Sequence, residues 1–250
     1  MSVDKSLSMN RIHSTWHRCG TVWFNNFFKQ IEIVGIKPIS YNQGGRSYSK
    51  IINKPLQSNS IAFNMCCDYD RFKIVAGNKY KAIHVYRDPR ELIVSNYYSW
   101  KESHPNNQFL IERDRRIKVI KMNKDDGMIF VIDELHKYKN IWNAMRSWAE
   151  SNDPNVKFFK LTELLKKDNL SEFICFMNFL ECDYNQDSLA KVLKNLSFKK
   201  ITNREIGVQQ NNNHFRSGTD KTWRSELTDK VLEHFYNVTD NLTEILGYNR

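Results

Sequence analysis

The sequence predicts an α/β fold in which a central, mostly parallel sheet is flanked by helices. Short apolar runs of strand length alternate with longer stretches whose apolar residues recur at helical spacing, the pattern of successive βα units. Two strand-to-helix junctions, around residues 15–23 and 86–95, are tight turns that carry a basic residue just ahead of a helix start. Length agrees: 250 residues, 40% hydrophobic and 13% aromatic, suffice for one sizeable core. With no internal repeat, low-complexity tract or linker in the chain, a single domain over residues 1–250 is expected.

Taken in order, Arg11 to Trp16 reads as the first strand. It runs into Trp16-His17-Arg18-Cys19-Gly20-Thr21-Val22-Trp23. Phe24, Phe27, Phe28, Ile31 and Val34 then fall on one helix face, ended by Gly35 and Pro38. The polar stretch Ser40 to Ser60, with Gly44-Gly45 and Pro55, reads as a loop-rich connection. Ile61–Met65 and Phe72–Ala76 are two further strand candidates, and Ala82–Tyr86 is a buried one. The last stops at an Arg87-Asp88-Pro89 corner, where Asp88 can cap a helix and Pro89 fits its first turn. Leu92, Ile93, Tyr97 and Trp100 continue that helix until His104-Pro105-Asn106-Asn107 breaks it. Ser103 to Asp125 shows no readable signature and is taken as pocket-lining loop, whereas Asp125 to Glu150 predicts one long amphipathic helix. After a turn at Ser151–Asn155 come a strand at Val156–Leu161 and helices near Leu170–Leu180 and Ser188–Leu196. Thr219 to Leu246 is read as helical, its apolar face at Leu227, Val231, Phe235, Leu242 and Ile245.

The bulk numbers narrow the function. A net charge of +10 and a pI near 9.3 point to an anionic partner: nucleic acid, a phosphorylated cofactor or an acidic glycan. The basic residues are scattered and the aromatics lie on apolar helix faces, which disfavours a nucleic-acid surface. The five cysteines are odd in number and include no CxxC, so neither a disulfide framework nor a zinc site is expected. Met1 to Asn10 has no signal-peptide core and no run reaches membrane-spanning length, so a cytoplasmic protein without membrane contact is expected.

Three stretches carry chemistry. The first loop is not a Walker A sequence, because it lacks the first glycine and the lysine of that pattern. It offers the cation Arg18, a backbone that can approach an anion at Gly20, and Thr21 opening a helix. Arg87 leaves a strand's carboxyl end at a helix N-terminus, with Ser95 two turns on, which is a second anion site. Downstream, Phe215-Arg216-Ser217-Gly218 ahead of another helix is a third.

Together these stretches resemble the PAPS-dependent sulfotransferase family, of the soluble, small-molecule and bacterial type. That family's T-Y-P-K-S-G-T-T-W loop aligns with Thr15 to Trp23, Arg18 standing at the lysine. Its strand-end arginine, N/D-P and serine eight residues on align with Arg87, Asp88, Pro89 and Ser95. Its T-S-F segment is similar to Leu196-Ser197-Phe198, and its R-K-G…W-K element to Arg216-Ser217-Gly218 with Trp223-Arg224. The matches come in order along nearly the whole chain.

The resemblance implies a P-loop-NTPase-like sulfotransferase fold. It also implies transfer of a sulfuryl group from PAPS (3′-phosphoadenosine 5′-phosphosulfate) to a hydroxyl or amine of a small molecule, such as a natural product. PAP is then released, and no metal is involved. Arg18, Cys19, Gly20, Thr21, Val22 and Trp23 would hold the 5′-phosphosulfate end, with Arg18 acting in catalysis. Arg87, Ser95 and Arg216, flanked by Phe215, Ser217 and Gly218, would hold the 3′-phosphate. Trp23, Ser197 and Phe198 would surround the adenine. The departures are His17 for the loop proline, Cys19 for its serine, and Leu161 near the place of a tyrosine. The family's catalytic histidine, about twenty residues before the motif arginine, has no counterpart in Asn64 to Asp70. The base is therefore sought at Asp68 or Asp70, at His17, or at His104 or Glu134, while His84 inside its strand reads as a core residue. The readings to be excluded are a P-loop-type small-molecule kinase and a non-catalytic binder of PAP or polyanions. The oligomeric state is left open, a homodimer included.

Overall fold

The computed structural model describes residues 9–41, 56–103, 110–137, 140–211, 215–219 and 222–250. In chain order its elements are β1 (Asn10–Thr15), α1 (Thr21–Gln30), β2 (Lys37–Ser40), β3 (Ser60–Met65), α2 (Tyr69–Ala76), β4 (Tyr80–Tyr86) and α3 (Pro89–Tyr98). A π-helical turn (Ser99–Ser103) leads to α4 (Leu110–Lys121), α5 (Lys124–Lys137), α6 (Ile141–Ala149) and β5 (Val156–Lys160). The chain ends with α7 (Leu161–Leu164), α8 (Leu170–Phe179), α9 (Gln186–Asn195), α10 (Phe198–Thr202), α11 (Trp223–Glu226), α12 (Asp229–Thr239) and α13 (Leu242–Ile245). Among the described residues no helix is long and apolar enough to cross a membrane.

The elements fall into two units. The first comprises Met1–Tyr86 and Ser151–Ile201, and the second Arg87–Glu150 and Thr202–Arg250. The first holds a five-stranded sheet in the order β2-β3-β1-β4-β5, every described pairing parallel. β1 is bonded on both sides, so Ile12, His13, Ser14 and Thr15 are all buried. His13 sits among the rings of Phe24, Phe28 and Phe176, its centroid 4.1 Å from that of Phe24. Its Nδ1 accepts the Asn64 N–H at 3.2 Å, while Nε2 is buried without a partner. The adjacent Ser14 places its hydroxyl 3.2 Å from Nδ1 of His84 on β4. At the other end of the sheet Asp153 gathers Tyr69, Tyr80 and Lys73, tying α2 and β4 to the turn before β5.

The second unit is helical. Asp88 caps α3 by accepting the Arg90 N–H at 2.9 Å, and its two oxygens also take Nε and Nη2 of the 2%-exposed Arg90 at 3.0 and 2.8 Å. Burial alone would lower the Arg90 pKa, but the hydrogen bonds and charge of Asp88, with Tyr236, raise it. Trp142 packs edge-on against Phe235 and donates its indole N–H to the Ile132 carbonyl.

Several sequence expectations need correction. Phe72–Ala76 is not a strand but the end of α2: Asp68 caps it, and Phe72 and Ala76 are buried four residues apart while Ile74 is exposed. α1 stops at Gln30, so Ile31 is its extended cap and Val34 is a 66%-exposed turn residue. Pro38 lies within β2, an edge strand where its missing N–H costs no ladder bond. The single helix expected from Asp125 to Glu150 is two, α5 and α6, with Asn140 before α6 in the left-handed region at φ 47°. The stretch read as loop to Asp125 contains α4, whose Ile117 and Ile120 are exposed and so leave no apolar stripe to read. The helix expected from Thr219 to Leu246 is three short ones. His104 and the break after it, Gly44-Gly45, Pro55 and Tyr138 lie outside the described residues.

The buried histidines make a prediction. Burial lowers His84 from 6.5 to about 3, and burial with the neighbouring His84 holds His13 well below its ordinary value. Both are neutral when folded, and in the unfolded chain both take up protons near pH 6.5. The unfolded state therefore binds more protons below that pH, and stability falls as pH drops from about 6.5 toward 3. The melting temperature of wild type should fall more steeply from pH 7 to pH 4 than that of His84→Asn; parallel curves by circular dichroism would refute this.

Candidate functional site

In the first unit the loop from Thr15 to Gly20 leaves the carboxyl end of β1 and opens α1. Thr15 anchors it, its hydroxyl donating to the carbonyls of Cys19 (2.9 Å) and Val85 (3.1 Å). The Cys19 N–H donates to Trp16 at 3.0 Å, closing a turn in which Arg18 takes φ 70° and Gly20 φ 88°. Gly20 is the N-cap residue, no side chain caps α1, and its first turn holds no acidic residue. The N–H groups at the start of this ten-residue helix thus receive no cap from the N-cap side chain, an end that favours negative charge. A β-carbon on Gly20 would come within 2.7 Å of Leu161 Cδ1, so the Leu161 side chain would have to move, and φ 88° itself favours glycine. From β3, Asn64 (φ 58°) donates through Nδ2 to the Thr21 carbonyl and to Asn25 Oδ1, both at 3.0 Å, steadying the helix start. His17 and Arg18 lie half-buried in the turn, and Cys19 is buried.

The same unit brings the loop to the Leu196–Phe198 segment. Trp23, 4% exposed, stacks on Phe27 and donates its indole N–H to the Leu196 carbonyl at 2.9 Å. Ser197 follows, its hydroxyl on the Lys194 carbonyl at 3.0 Å and its own carbonyl accepting from Ile201, so that it starts α10 with Phe198 half-buried.

The second unit brings the other two stretches together. Arg87 donates through Nη2 to Glu91 Oε2 and to the Thr219 carbonyl, each at 3.0 Å, while its Nε is buried without a partner. Glu91 is 1% exposed; it also receives the Thr222 hydroxyl at 2.8 Å and the Trp223 N–H at 2.8 Å. Arg216 donates through Nη2 to the Thr222 oxygen at 2.6 Å and through Nη1 to Glu226 at 3.2 Å, and its guanidinium lies over the Tyr98 ring. Lys124 meets Glu226 at 2.7 Å. Burial would raise the Glu226 pKa, but the hydrogen bonds from Lys124 and Tyr98 and the charges of Lys124 and Arg216 take it below its ordinary value. Three cations thus face two carboxylates in one polar network. Ser217 is buried, its carbonyl accepting the Gly207 N–H, and Gly218 turns at φ 68° next to it. Arg204 holds the carbonyls of Phe215 and Arg216. Ser95 is half-buried on the second turn of α3.

The base candidates fare differently. Asp68 accepts the Arg71 N–H at 2.9 Å as the α2 cap and pairs with Arg71 Nε at 3.4 Å; Asp70 is exposed in the first turn of α2. Glu134 is held by Arg115 Nε at 2.6 Å, and His84 is a buried sheet residue. His104 is outside the described residues. Sequence reasoning passed over Glu91, although its i,i+4 spacing from Arg87 is a readable ion-pair signal; Thr222 and Asn64 carried none. Among the described residues no group of three or more His, Cys, Asp or Glu is placed to hold a metal ion.

Comparison with known proteins follows from this geometry. The family described as "Sulfotransferase domain" matches residues 12–247, through both units. An amine sulfotransferase of Oryctolagus cuniculus is 25% identical over 177 residues, covering 65% of this chain and 54% of that protein. A luciferin sulfotransferase of Photinus pyralis is 23% identical over 227 residues, covering 84% and 56%. The chain thus spans about half the length of the curated relatives it matches. A mouse sulfotransferase solved with PAP superposes with a TM-score of 0.66 at 20% identity, covering 96% of this chain and 84% of that one. A retinol dehydratase solved with androsterone and PAP gives 0.56 at 14%, covering 96% and 82%. At these identities the structural likeness is one of fold.

Gly20→Ala should destabilise the chain more than Gly207→Ala. Both positions have positive φ, a cost of about 1–3 kcal/mol for a non-glycine residue, but a β-carbon at 207 meets nothing within 4 Å. Urea denaturation of the two variants checks it, and equal losses would show that the Leu161 contact relaxes freely.

Proposed function

Since the chain belongs to the sulfotransferase family, we propose that it transfers the sulfuryl group of PAPS to a hydroxyl or amine of a small-molecule acceptor and releases PAP. The observation that carries the reading is the buried Arg87 Nε–H, which lacks an acceptor in a network where Arg87 and Arg216 already meet through Glu91 and Thr222. A buried unpaired guanidinium N–H is costly, and a phosphate oxygen satisfies it. The loop by itself offers what a phosphate needs, with uncapped helix N–H groups, a glycine at the helix start, and a cation in the turn.

PAPS supplies an activated sulfuryl group whose leaving group is a phosphate. The protein's work is to position the reactants and to stabilise the charge that builds on the bridging oxygen. Arg18, with the backbone N–H groups of Gly20, Thr21 and Val22, holds the 5′-phosphosulfate. Arg87, Ser95 and Arg216, on the backbone of Phe215, Ser217 and Gly218, hold the 3′-phosphate and so select the cofactor. Trp23, Ser197 and Phe198 line the adenine, and Cys19 shapes the turn by its burial. Asp68 or His17 takes the acceptor proton. No protein-bound metal is needed, because arginines neutralise the phosphates. We place the enzyme in the cytoplasm, a reading supported by an odd number of cysteines without CxxC spacing, which is not the pattern of a disulfide framework. The small-molecule acceptor is supported by relatives named for an amine and for luciferin.

Arg18→Ala should lower kcat by about 10²–10³-fold at saturating PAPS with an unchanged melting curve; retained turnover would refute its role. Asp68→Asn separates cap from base, since Asn caps as well as Asp but accepts no proton. If Asp68 is the base, radiolabelled sulfate transfer drops by about 10²-fold or more at unchanged stability. Full activity would exclude Asp68 as the base. No sulfated product from wild type with any hydroxyl or amine acceptor, despite PAP binding, would favour a non-catalytic PAP-binding protein.

A further inference from the structure

We propose that Glu91 is a positioning residue that orients both arginines of the 3′-phosphate clamp; the proposal rests on reading Arg87 and Arg216 as that clamp. A carboxylate that is 1% exposed persists only if its lone pairs are filled, and Glu91 fills them from two separated stretches of chain. Oε2 holds Nη2 of Arg87 at 3.0 Å from the turn before α3. Oε1 takes the Trp223 N–H at 2.8 Å from the start of α11. The Thr222 hydroxyl donates to both oxygens, at 2.9 and 2.8 Å, and its oxygen in turn accepts Nη2 of Arg216 at 2.6 Å. The hydrogen bonds therefore run from Arg216 through Thr222 to Glu91, and from Arg87 to Glu91, so one anion sets two cations that lie 129 residues apart in sequence. With Nη2 of Arg87 spent on Glu91 and Thr219, the guanidinium is fixed with its Nε–H and Nη1 donors left over.

The geometry sets Glu91 apart from a residue that only stabilises the fold, because its charge and its orienting role act in opposite directions. A negative charge beside a phosphate weakens binding, so removing it would tighten PAP if charge were all that mattered. Removing an orienting partner would loosen PAP. Glutamine at this position keeps the size but has one acceptor oxygen where Glu91 uses two, so it must release either Arg87 or the Trp223 N–H and leaves Thr222 one acceptor in place of two.

The test is calorimetric titration of PAP and of adenosine 5′-monophosphate, which lacks the 3′-phosphate, into wild type, Glu91→Gln, Arg87→Ala and the double variant. Glu91→Gln is expected to weaken PAP about tenfold or more, the loss of a charged hydrogen-bond geometry, while the 5′-monophosphate changes less than twofold. In the Arg87→Ala background it should add only the smaller loss that passes through Thr222 and Arg216. Equal weakening of both nucleotides, unchanged PAP binding or tighter PAP binding by Glu91→Gln would overturn the inference. If Arg87→Ala alone erases the preference for PAP in that case, the clamp reading stands. A wild type that binds both nucleotides alike overturns the clamp reading and the inference with it. Should Glu91→Gln fail to fold, Thr222→Val, which cuts the link to Arg216, should show the same selective loss for PAP, and a non-selective loss overturns the inference.

Discussion

The interaction on which the loop of the first unit depends is the placing of β1 in the middle of a parallel sheet. A strand bonded on both sides has no freedom at its end, and Thr15 converts that rigidity into loop geometry by donating one hydroxyl to Cys19 and to Val85 of the neighbouring strand. The turn at Arg18 and Gly20 then enters α1 with positive φ at both residues. Positive φ is costly for arginine, and it is sustained here because strand, helix and the side chain of Asn64 all specify the same path. The uncapped N–H groups of α1 are a consequence: the position that would normally supply a capping hydroxyl is a glycine.

The second unit works by a different principle, the satisfaction of buried charge. Arg90 is neutralised by Asp88 in a two-pronged pair and lies 3.8 Å over the Trp223 ring, so it serves structure. Arg87 and Arg216 are only partly neutralised, by Glu91 and Glu226, and retain donors. Two arginines in one tetrapeptide thus have opposite fates, decided by whether the partner carboxylate is forked onto them or shared. Sharing leaves guanidinium donors incompletely used, and the shared carboxylates limit the repulsion between the cations.

Much of this was legible in the sequence, and the unread parts have physical reasons. The Asp88 cap with Pro89 in the first turn was readable because capping is local chemistry. The strands β1, β3, β4 and β5 were readable within two residues because buried parallel strands are short apolar runs. Phe72–Ala76 was misread because a five-residue apolar run fits either period; the signal that decides it is Asp68 ahead of it. α4 was unreadable because both exposed isoleucines blur its face, and the helix from Asp125 was over-extended because the apolar pattern continues past the left-handed Asn140.

What the sequence by itself determined is the fold class and the family, since those rest on residue type, local spacing and the order of the motif stretches along the chain. Only the tertiary structure decided which residues organise those stretches. It made Glu91 and Thr222 the partners of Arg87 and Arg216, tied Trp23 to Leu196, and gave Asp68 to a helix cap. The reason is that a hydrogen bond between residues more than a hundred positions apart, such as Trp223 to Glu91, leaves no trace in local periodicity. It exists only once packing has excluded water and left each buried donor in need of an acceptor.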